Sequence, residues 1–156
     1  ATTVDALSQN QDKQDQIQQF WYHSLRCAIV CRLLAEETRQ AHTECFFVSG
    51  LLHDIGRLVM FQGLPETLRR SVYRAGDSLA TLTLEQHHLG FTHAEVGATL
   101  ARQWRLPGHI VSAIEFHHAP LSASQFIHQT SLVYLANQLA KAKTRRFQIR
   151  TPEPFR

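Results

Sequence analysis

Several features are absent from this 156-residue chain or scarce in it. No stretch approaches the roughly 20 apolar residues that a membrane span needs, so we expect no membrane partner. The Gln- and Asp-rich start has no basic segment followed by an apolar run, and it does not predict a signal peptide. Charged residues make up 19% of the chain and apolar residues 44%, a balance typical of globular proteins rather than disordered ones. We therefore expect one folded, cytoplasmic domain.

Cysteine is also scarce, and the three that occur do not predict a disulfide framework. Cys27, Cys31 and Cys45 are an odd number and lie in apolar, helix-like segments. We expect buried free thiols, which fit a reducing compartment. Cys27 and Cys31 are four residues apart and could share a metal on one helix face, but no CxxC pair supports that reading.

The net charge of +3 is concentrated at the C-terminus. Residues 141–156 contain six basic side chains against Glu153, and we expect a solvated basic tail over residues 143–156. Such a tail could contact phosphates, but no aromatic residues alternate with the basic ones to form a stacking groove. Nucleic acid is therefore not an expected partner.

Apolar residues recur at spacings of three and four along most of the chain, which predicts an all-α fold. Glycines and prolines are few and fall between these segments rather than within them. No segment alternates with a period of two. The large aromatic residues Trp21, Phe46, Phe47, Trp104 and Phe116 are predicted to be core. The predicted helices are Ile17–Leu34, Thr43–Phe61 with Thr43 as cap, Pro65–Ala75, Leu79–His88, a helix opened by a capping box at Thr92 and Glu95 and running to Trp104, Pro107–His117, and Ser124–Ala142.

The most informative feature is an adjacent pair, His53 and Asp54, inside the most apolar predicted helix. Burying an ionised carboxylate costs several kcal/mol unless a cation accompanies it. An imidazolium or a divalent metal would supply that positive charge. A His-Asp step offers nitrogen and oxygen ligands that suit zinc, iron, manganese or nickel.

The run Leu51–Gly56 resembles the signature of the HD superfamily of metal-dependent phosphohydrolases. Five blocks in order resemble, more specifically, the HD half of HDOD domains, and the resemblance covers about Phe20 to Ala140. The blocks are Phe20–Leu25, Gly50–Leu58, Gly90–Gly97, Trp104–Pro107 and Ala113–Pro120. The resemblance implies an all-α, HD-domain-like bundle, and the periodic segments amount to about six to seven helices. We expect residues 1–19 to lead into the first helix and residues 20–142 to form the HD-type domain.

The resemblance also implies a set of metal ligands. In active relatives a first metal is held at positions that fall here on His23, His53, Asp54 and Asn137. The related HD-GYP phosphodiesterases add positions that fall on His93, His117 and His118, with Ala119 where they have a glutamate. Arg57 stands where those enzymes have a lysine and keeps its positive charge. Asn137 and Ala119 thus replace two carboxylates, which predicts one divalent metal (Fe, Mn, Zn or Ni) or none.

Other interpretations of these residues stay open at the sequence level. His23, His53 and Asp54 could form a hydrogen-bonded cluster that joins two helices without a metal. His93 could act only as a helix N-terminal residue, and His117 and His118 could terminate a helix. Glu85 recurs in the family and could replace a lost carboxylate. The remaining histidines are expected at the surface or at helix caps: His42, His87, His88, His109 and His128.

HDOD domains resemble degenerate hydrolases that serve in bacterial signal transduction. The resemblance therefore predicts a regulatory module that is not catalytic and acts through protein partners. Such modules carry an additional helical half ahead of the HD portion, so we expect a large exposed apolar face near the N-terminus. The alternative is a metal-dependent phosphohydrolase in which Asp54 binds metal and Arg57 steadies a small phosphate ligand. The chain has no Gly-Tyr-Pro run after its His-His pair, which counts against a cyclic dinucleotide as substrate.

Overall fold

A computed structural model of the protein describes residues 3–65, 67–69 and 79–142. The described residues form helices and connecting turns and contain no strand, so the predicted all-α class is confirmed. The predicted helix Pro65–Ala75 falls mostly outside the described residues, and so does the tail 143–156. The helices are α1 (Thr3–Glu37), α2 (Thr43–Leu52), α3 (Ile55–Gly63), α4 (Leu79–Leu89), α5 (His93–Gln103), α6 (Gly108–Phe116) and α7 (Ile127–Lys141), with a 3₁₀ turn at Pro120–Ser122.

Helix α1 buries a face made of small residues. Cys27, Ala28, Cys31 and Ala35 are fully buried there, and Gly50 of α2 lies directly against Ala28. A Cβ at Gly50 would be only 2.9 Å from the Cα of Ala28, so the two helices can meet this closely only over a glycine. Burial raises the pKa of the Cys31 thiol to about 12. The expected free thiols at positions 27 and 31 are confirmed.

A row of large apolar residues of α1 lies on its exposed side. Trp21, Leu25, Ile29 and Leu33 are spaced by four, and each is about half exposed. The prediction of a core position is therefore wrong for Trp21, and also for Trp104 after α5, whereas Phe46 is buried. Periodicity identified an apolar stripe on α1 correctly but could not tell which stripe faces the neighbouring helices. The small residues face them because small side chains allow the closer approach.

The single helix predicted over Thr43–Phe61 is wrong, because the chain turns at His53 and Asp54. Asp54 has φ −103° and ψ 11° and caps α3 rather than continuing α2. The turn gives the two halves separate partners: α2 packs on α1, whereas α3 packs on α5. The apolar residues on both sides of His53 and Asp54 favour one continuous helix, although aspartate is a residue type that often precedes a helix. His53 and Asp54 therefore lie at a helix junction, where their side chains can face other helices.

Helix boundaries otherwise follow the sequence with local corrections. The capping box at Thr92 and Glu95 is confirmed, since each side chain bonds the backbone N–H of the other residue. Helix α2 begins at Thr43 itself, after His42 in the left-handed region with φ 57°, so Thr43 is not the cap. Helix α7 begins at Ile127 rather than Ser124, because Phe126 also has φ 57° and interrupts the helix there.

Two apolar clusters surround the helix junction at residues 53 and 54. One joins α1, α2 and α7 through residues such as Phe46 and Val133, and the other joins α3, α5 and α6 through residues such as Ile55 and Ile114. Gly56 and Gly97 bring α3 and α5 into backbone contact. Within the described ranges, no helix combines the length and apolarity needed to cross a membrane.

Candidate metal centre

Four parts of the fold deliver imidazoles and a carboxylate to one buried place. His23 comes from α1, His53 and Asp54 from the α2–α3 junction, and His93 from the first residue of α5. His117 and His118 follow the end of α6. His53, Asp54, His93 and His117 are at most 1% exposed, whereas His23 and His118 are partly exposed. The structure thus brings together six of the seven ligand positions predicted from the sequence.

Three of the histidines are held through Nδ1. His53 Nδ1 donates to the carbonyl oxygen of Gly50 at 2.7 Å, and His117 Nδ1 donates to that of Ile114 at 2.7 Å. A carbonyl can only accept, so Nδ1 carries a proton in both rings, and when either ring is neutral its lone pair is on Nε2. His93 Nδ1 faces the carboxylate of Glu85 at 2.7 Å in the same way. Metal-binding histidines are typically oriented by this kind of second hydrogen bond.

The Nε2 atoms converge on Asp54. Its Oδ1 lies 3.3 Å from His93 Nε2 and 3.3 Å from His117 Nε2. Its Oδ2 lies 3.5 Å from His53 Nε2 and 3.9 Å from His23 Nε2. Neither carboxylate oxygen meets hydrogen-bond geometry with any described residue. Close approach of several ligand atoms around one ionised carboxylate is the arrangement that a central ion requires, so the residues fit a metal.

Two groups of ligand atoms share this carboxylate. One group contains Asp54, His93, His117 and His118. The other contains His23, His53 and Asp54. Within each group the ligand atoms lie within 4.8 Å of one another. In the first group His93 Nε2 and His118 Nε2 are 3.0 Å apart. This separation, and the 3.3 Å from Asp54 Oδ1 to His93 Nε2 and to His117 Nε2, would let one ion with bonds of about 2.0–2.1 Å contact these atoms.

Electrostatics keep Asp54 ionised despite its burial. Desolvation by itself raises the pKa of this carboxyl group, but the surrounding groups outweigh it and hold the pKa well below its usual value. Arg57 contributes from α3, with Nη1 3.6 Å from Oδ2. The other contributions come from His53, His117 and His93. The cluster therefore contains a permanent buried anion that attracts cations.

Glu85 is a site residue whose role the sequence did not reveal. The sequence leaves open a role as a replacement ligand, but the structure places Glu85 behind His93, where it also accepts the His93 backbone N–H at 2.9 Å. It is 1% exposed, and the described ligand groups do not include it. Burial lowers the pKa of His93, but hydrogen bonds and charges from Asp54 and Glu85 raise it to about 9 overall. No local sequence signal pairs residues 85 and 93, since a helix end and a turn separate them.

This raised pKa predicts a pH dependence for metal uptake. In the metal-free protein the imidazole of His93 is in its cationic form at pH 7, with a proton on both ring nitrogens. A metal that binds Nε2 must displace the proton there. We expect the apparent affinity for Zn²⁺ to rise between pH 7 and 9, by up to about tenfold per pH unit from this one group, and to level off above pH 9. The stability of the metal-free protein should fall as the pH rises over the same range.

The contribution of His93 to the free energy of unfolding is complete below the pKa of histidine in the unfolded chain, and it is lost as the pH rises through about 9.

Isothermal titration calorimetry in buffers of different ionisation enthalpy measures both the affinity and the released proton. Urea unfolding of the metal-free protein at the same pH values measures the opposite trend. An affinity that stays constant or falls from pH 7 to 9 would contradict the assignment of the raised pKa to His93.

The two positions at which related enzymes have a carboxylate and this chain does not are residues 137 and 119, and they differ in burial. Asn137 is fully buried on α7, and neither of its amide atoms bonds to any residue in the described ranges. A buried amide in this state needs a polar partner, but its place as a ligand stays a prediction. Ala119 is exposed after α6 and has no ligand atom. His42, His87, His88 and His128 are exposed, as expected.

Comparisons with known proteins point to one domain family. The sequence profile of the HDOD domain matches residues 1–120. An uncharacterised protein of Treponema pallidum is 31% identical over 130 residues, which cover 81% of this chain and 25% of that protein. The chain thus spans about a quarter of the curated relative that it matches.

Solved structures show the same fold. An HDOD domain protein of unknown function from Geobacter sulfurreducens is 28% identical with a TM-score of 0.69, over 80% of this chain and 42% of that one. A candidate phosphohydrolase from Shewanella amazonensis is 32% identical with a TM-score of 0.69, over 78% and 45% of the two chains. A candidate signal transduction protein from Marinobacter aquaeolei, at 24% identity with a TM-score of 0.67 over 77% and 28%, shares the fold. The helical fold and the profile match over most of the chain together show that this protein belongs to the HDOD domain family.

Proposed function

We propose that this chain is a regulatory module of signal transduction that binds one divalent transition metal and acts through protein partners rather than by hydrolysis. The observation that carries the proposal is the composition of the cluster. Asp54 is the one carboxylate in the two ligand groups that the described residues form. The match to the HDOD domain and the relative described as an HDOD domain protein support a module of this kind.

The charge of the cluster argues against two metals. Two divalent ions bring four positive charges, and neutral histidines bind metals without offsetting that charge. Asp54 supplies one negative charge, while Asn137 and Ala119 supply none. A bound ion could polarise a phosphate and activate water. The chain's own residues orient the imidazoles and exclude water from most of the cluster, but the ligand groups that the described residues form include no second carboxylate to direct a nucleophile.

Helix α1 supplies a surface for a protein partner. Trp21, Leu25, Ile29 and Leu33, with Tyr22 beside them, form an exposed apolar stripe, which we call the α1 stripe. The expected exposed apolar face near the N-terminus is therefore present. Apolar patches of this kind typically mark interaction sites. We propose that a protein partner or an additional helical half covers the stripe.

The α1 stripe predicts binding of the apolar dye ANS. Replacing both Leu25 and Ile29 with glutamate should remove most of the ANS fluorescence, because the two side chains lie one helical turn apart and are 48% and 46% exposed. Helical circular dichroism should persist, since neither side chain is core. The matched control is Leu121→Glu, at an 87% exposed residue away from α1. Equal dye binding by the double variant and the wild type would argue against the stripe as an interaction surface.

Metal-dependent phosphohydrolysis is the second candidate function. It is favoured by Arg57, which lies 3.6 Å from Asp54 and could steady a phosphate bound beside the metal. The Shewanella relative, a candidate phosphohydrolase, points the same way. A small phosphate ester would be the ligand. We rank this function second because the cluster lacks a second carboxylate.

One experiment separates the two functions. Metal content is measured on purified protein, and hydrolysis of bis-p-nitrophenyl phosphate and of cyclic dinucleotides is followed with added Mn²⁺, Fe²⁺, Zn²⁺ or Ni²⁺. The proposal expects about one bound metal per chain and no turnover above that of the Asp54→Ala variant. Turnover that disappears in Asp54→Ala would establish the hydrolase instead.

A further inference from the structure

We propose that the α1 stripe binds the α1 stripe of a second copy of this chain, in an antiparallel pair related by a two-fold axis. The inference deepens the proposed function, because it names the protein partner, and it rests on the interaction surface stated there. It does not depend on whether the cluster around Asp54 holds a metal.

Helix α1 buries its small residues and exposes its large ones. Cys27, Ala28 and Cys31 are fully buried, whereas Leu25 and Ile29 of the stripe are about half exposed. Burial of a large apolar side chain contributes more free energy than burial of a small one, roughly in proportion to the apolar area removed from water. A row of large apolar residues left in water is therefore unfavourable for an isolated chain. A partner on this side of α1 would bury that row.

The exposed area of the stripe is of the size that a small dimer interface needs. Its five side chains are 45% to 66% exposed. Side chains of this size offer on the order of 100–250 Å² each, so the stripe presents roughly 400–500 Å² per copy. A standard interface takes about 800 Å² from each partner. The stripe thus supplies more than half of that area, which predicts a reversible dimer with a dissociation constant in the micromolar range.

The spacing of the stripe suits packing against an identical row. Trp21, Leu25, Ile29 and Leu33 follow one another at intervals of four residues and span about 18 Å along α1. Rows with this spacing form the ridges that interdigitate when two helices cross at about −50°, the commonest class of helix packing. A second copy of α1 supplies a matching row.

The direction of the pair follows from the shape of the row. It has an indole at one end, Trp21, and a smaller side chain at the other, Leu33. In an antiparallel pair, residue 21 of each copy faces residue 33 of the other, and residue 25 faces residue 29. A parallel pair would place two indoles at one end and two leucines at the other, which fills the space between the helices unevenly.

The surroundings of the stripe are compatible with a partner of the same charge. Arg32 and Glu36 lie beside it and neutralise each other, with Arg32 Nε 2.8 Å from Glu36 Oε1. The guanidinium of Arg26 lies over the ring of Tyr22, 5.6 Å from its centre. Interfaces are typically rich in Trp, Tyr and Arg and have a polar rim around an apolar centre. The stripe and its flanks have this composition, so a second copy can approach without strong repulsion.

Sedimentation velocity of the full chain at about 1 to 300 µM tests the pairing, because this range brackets micromolar dissociation constants. The wild type should change from monomer to dimer as its concentration rises, and ANS fluorescence per chain should fall over the same range. Leu25→Glu and Ile29→Lys should each raise the dissociation constant at least about 30-fold, as expected for central interface residues. Leu121→Glu, at an 87% exposed residue away from α1, is the control and should dimerise like the wild type.

A mixture of the two single variants tests the antiparallel direction. In a mixed dimer Glu at position 25 of one copy would face Lys at position 29 of the other, while the second 29–25 contact stays apolar. We expect the mixture to dimerise within about tenfold of the wild-type dissociation constant, although neither variant does so alone. Circular dichroism of each variant separates loss of pairing from loss of fold.

Three results would overturn the inference: a wild type that stays monomeric over the whole range, dimers that persist in both single variants, or a mixture that stays monomeric. If the wild type is monomeric but the Leu25→Glu, Ile29→Glu double variant still loses ANS fluorescence, the proposed interaction surface stands and only the second copy is refuted. If the double variant also keeps its ANS fluorescence, the interaction surface fails with it.

Discussion

Replacing Gly56 with alanine is expected to destabilise the fold by about 3 kcal/mol or more, the upper end of the range for overpacked core positions. A Cβ at this position would overlap the carbonyl oxygen of His93 and lie 2.6 Å from the backbone nitrogen of Gly97. Both obstacles are backbone atoms, so no side chain can rotate away and α3 must separate from α5. Because His93 begins α5, the same shift should move its ring away from Asp54 and weaken metal binding.

Urea denaturation of the metal-free protein measures the loss of stability, and Co²⁺ titration measures the change at the cluster. Gly63→Ala is a close control, since Gly63 ends the same helix and a Cβ there would meet nothing within 4 Å. We expect that control to change stability by less than about 1 kcal/mol. Equal stability of the two variants would mean that α3 and α5 do not meet over Gly56 as described.

Substitution of Asp54 by asparagine is expected to abolish metal binding by the whole cluster. Asp54 is the member that both ligand groups share, and its two oxygens face different histidines. The amide keeps the shape but removes the negative charge that offsets the ion. We expect the loss of affinity to exceed the 10- to 100-fold that loss of an outer hydrogen-bond partner typically causes.

Calorimetric titration with Zn²⁺ and metal analysis of the purified variant measure this effect. Asp15→Asn is the control, since Asp15 is an exposed aspartate on α1 and lies outside both ligand groups. Metal uptake by Asp54→Asn at wild-type affinity would mean that the ion binds somewhere other than this cluster. The cluster would then be a metal-free set of polar side chains. In that case the variant should alter only the stability of the fold.

The local features of this fold could be predicted from the sequence because they depend on neighbours along the chain. The helical class follows from apolar spacing, and the capping box at Thr92 and Glu95 is a four-residue pattern that the structure confirms. The His53-Asp54 step and the ordered blocks around it also pointed to the right family. These signals use helix propensity and hydrogen bonds within a few residues, which act in the same way wherever the helix is placed.

The side of α1 that is buried could not be predicted in this way. The sequence gives α1 a stripe of large apolar residues and a stripe of small ones, and hydrophobicity alone favours burying the large side chains. The structure buries Cys27, Ala28 and Cys31 and exposes Leu25 and Ile29, because Gly50 of α2 approaches α1 at backbone distance. Which side of α1 is buried depends on the shape of α2, and the sequence of α1 does not contain that information.

For the candidate metal centre, too, some features follow from the sequence and others only from the packing of the helices. The sequence by itself determined that the chain is helical and rich in histidine, with one aspartate where related enzymes have more carboxylates. Only the tertiary structure decided that the chain turns at Asp54, that imidazoles from three other parts of the chain surround its carboxylate, and that Glu85 stands behind His93. The physical reason is that ligand separations of 3 to 4 Å are set by how helices distant in sequence pack, and here glycine contacts between backbones set that packing.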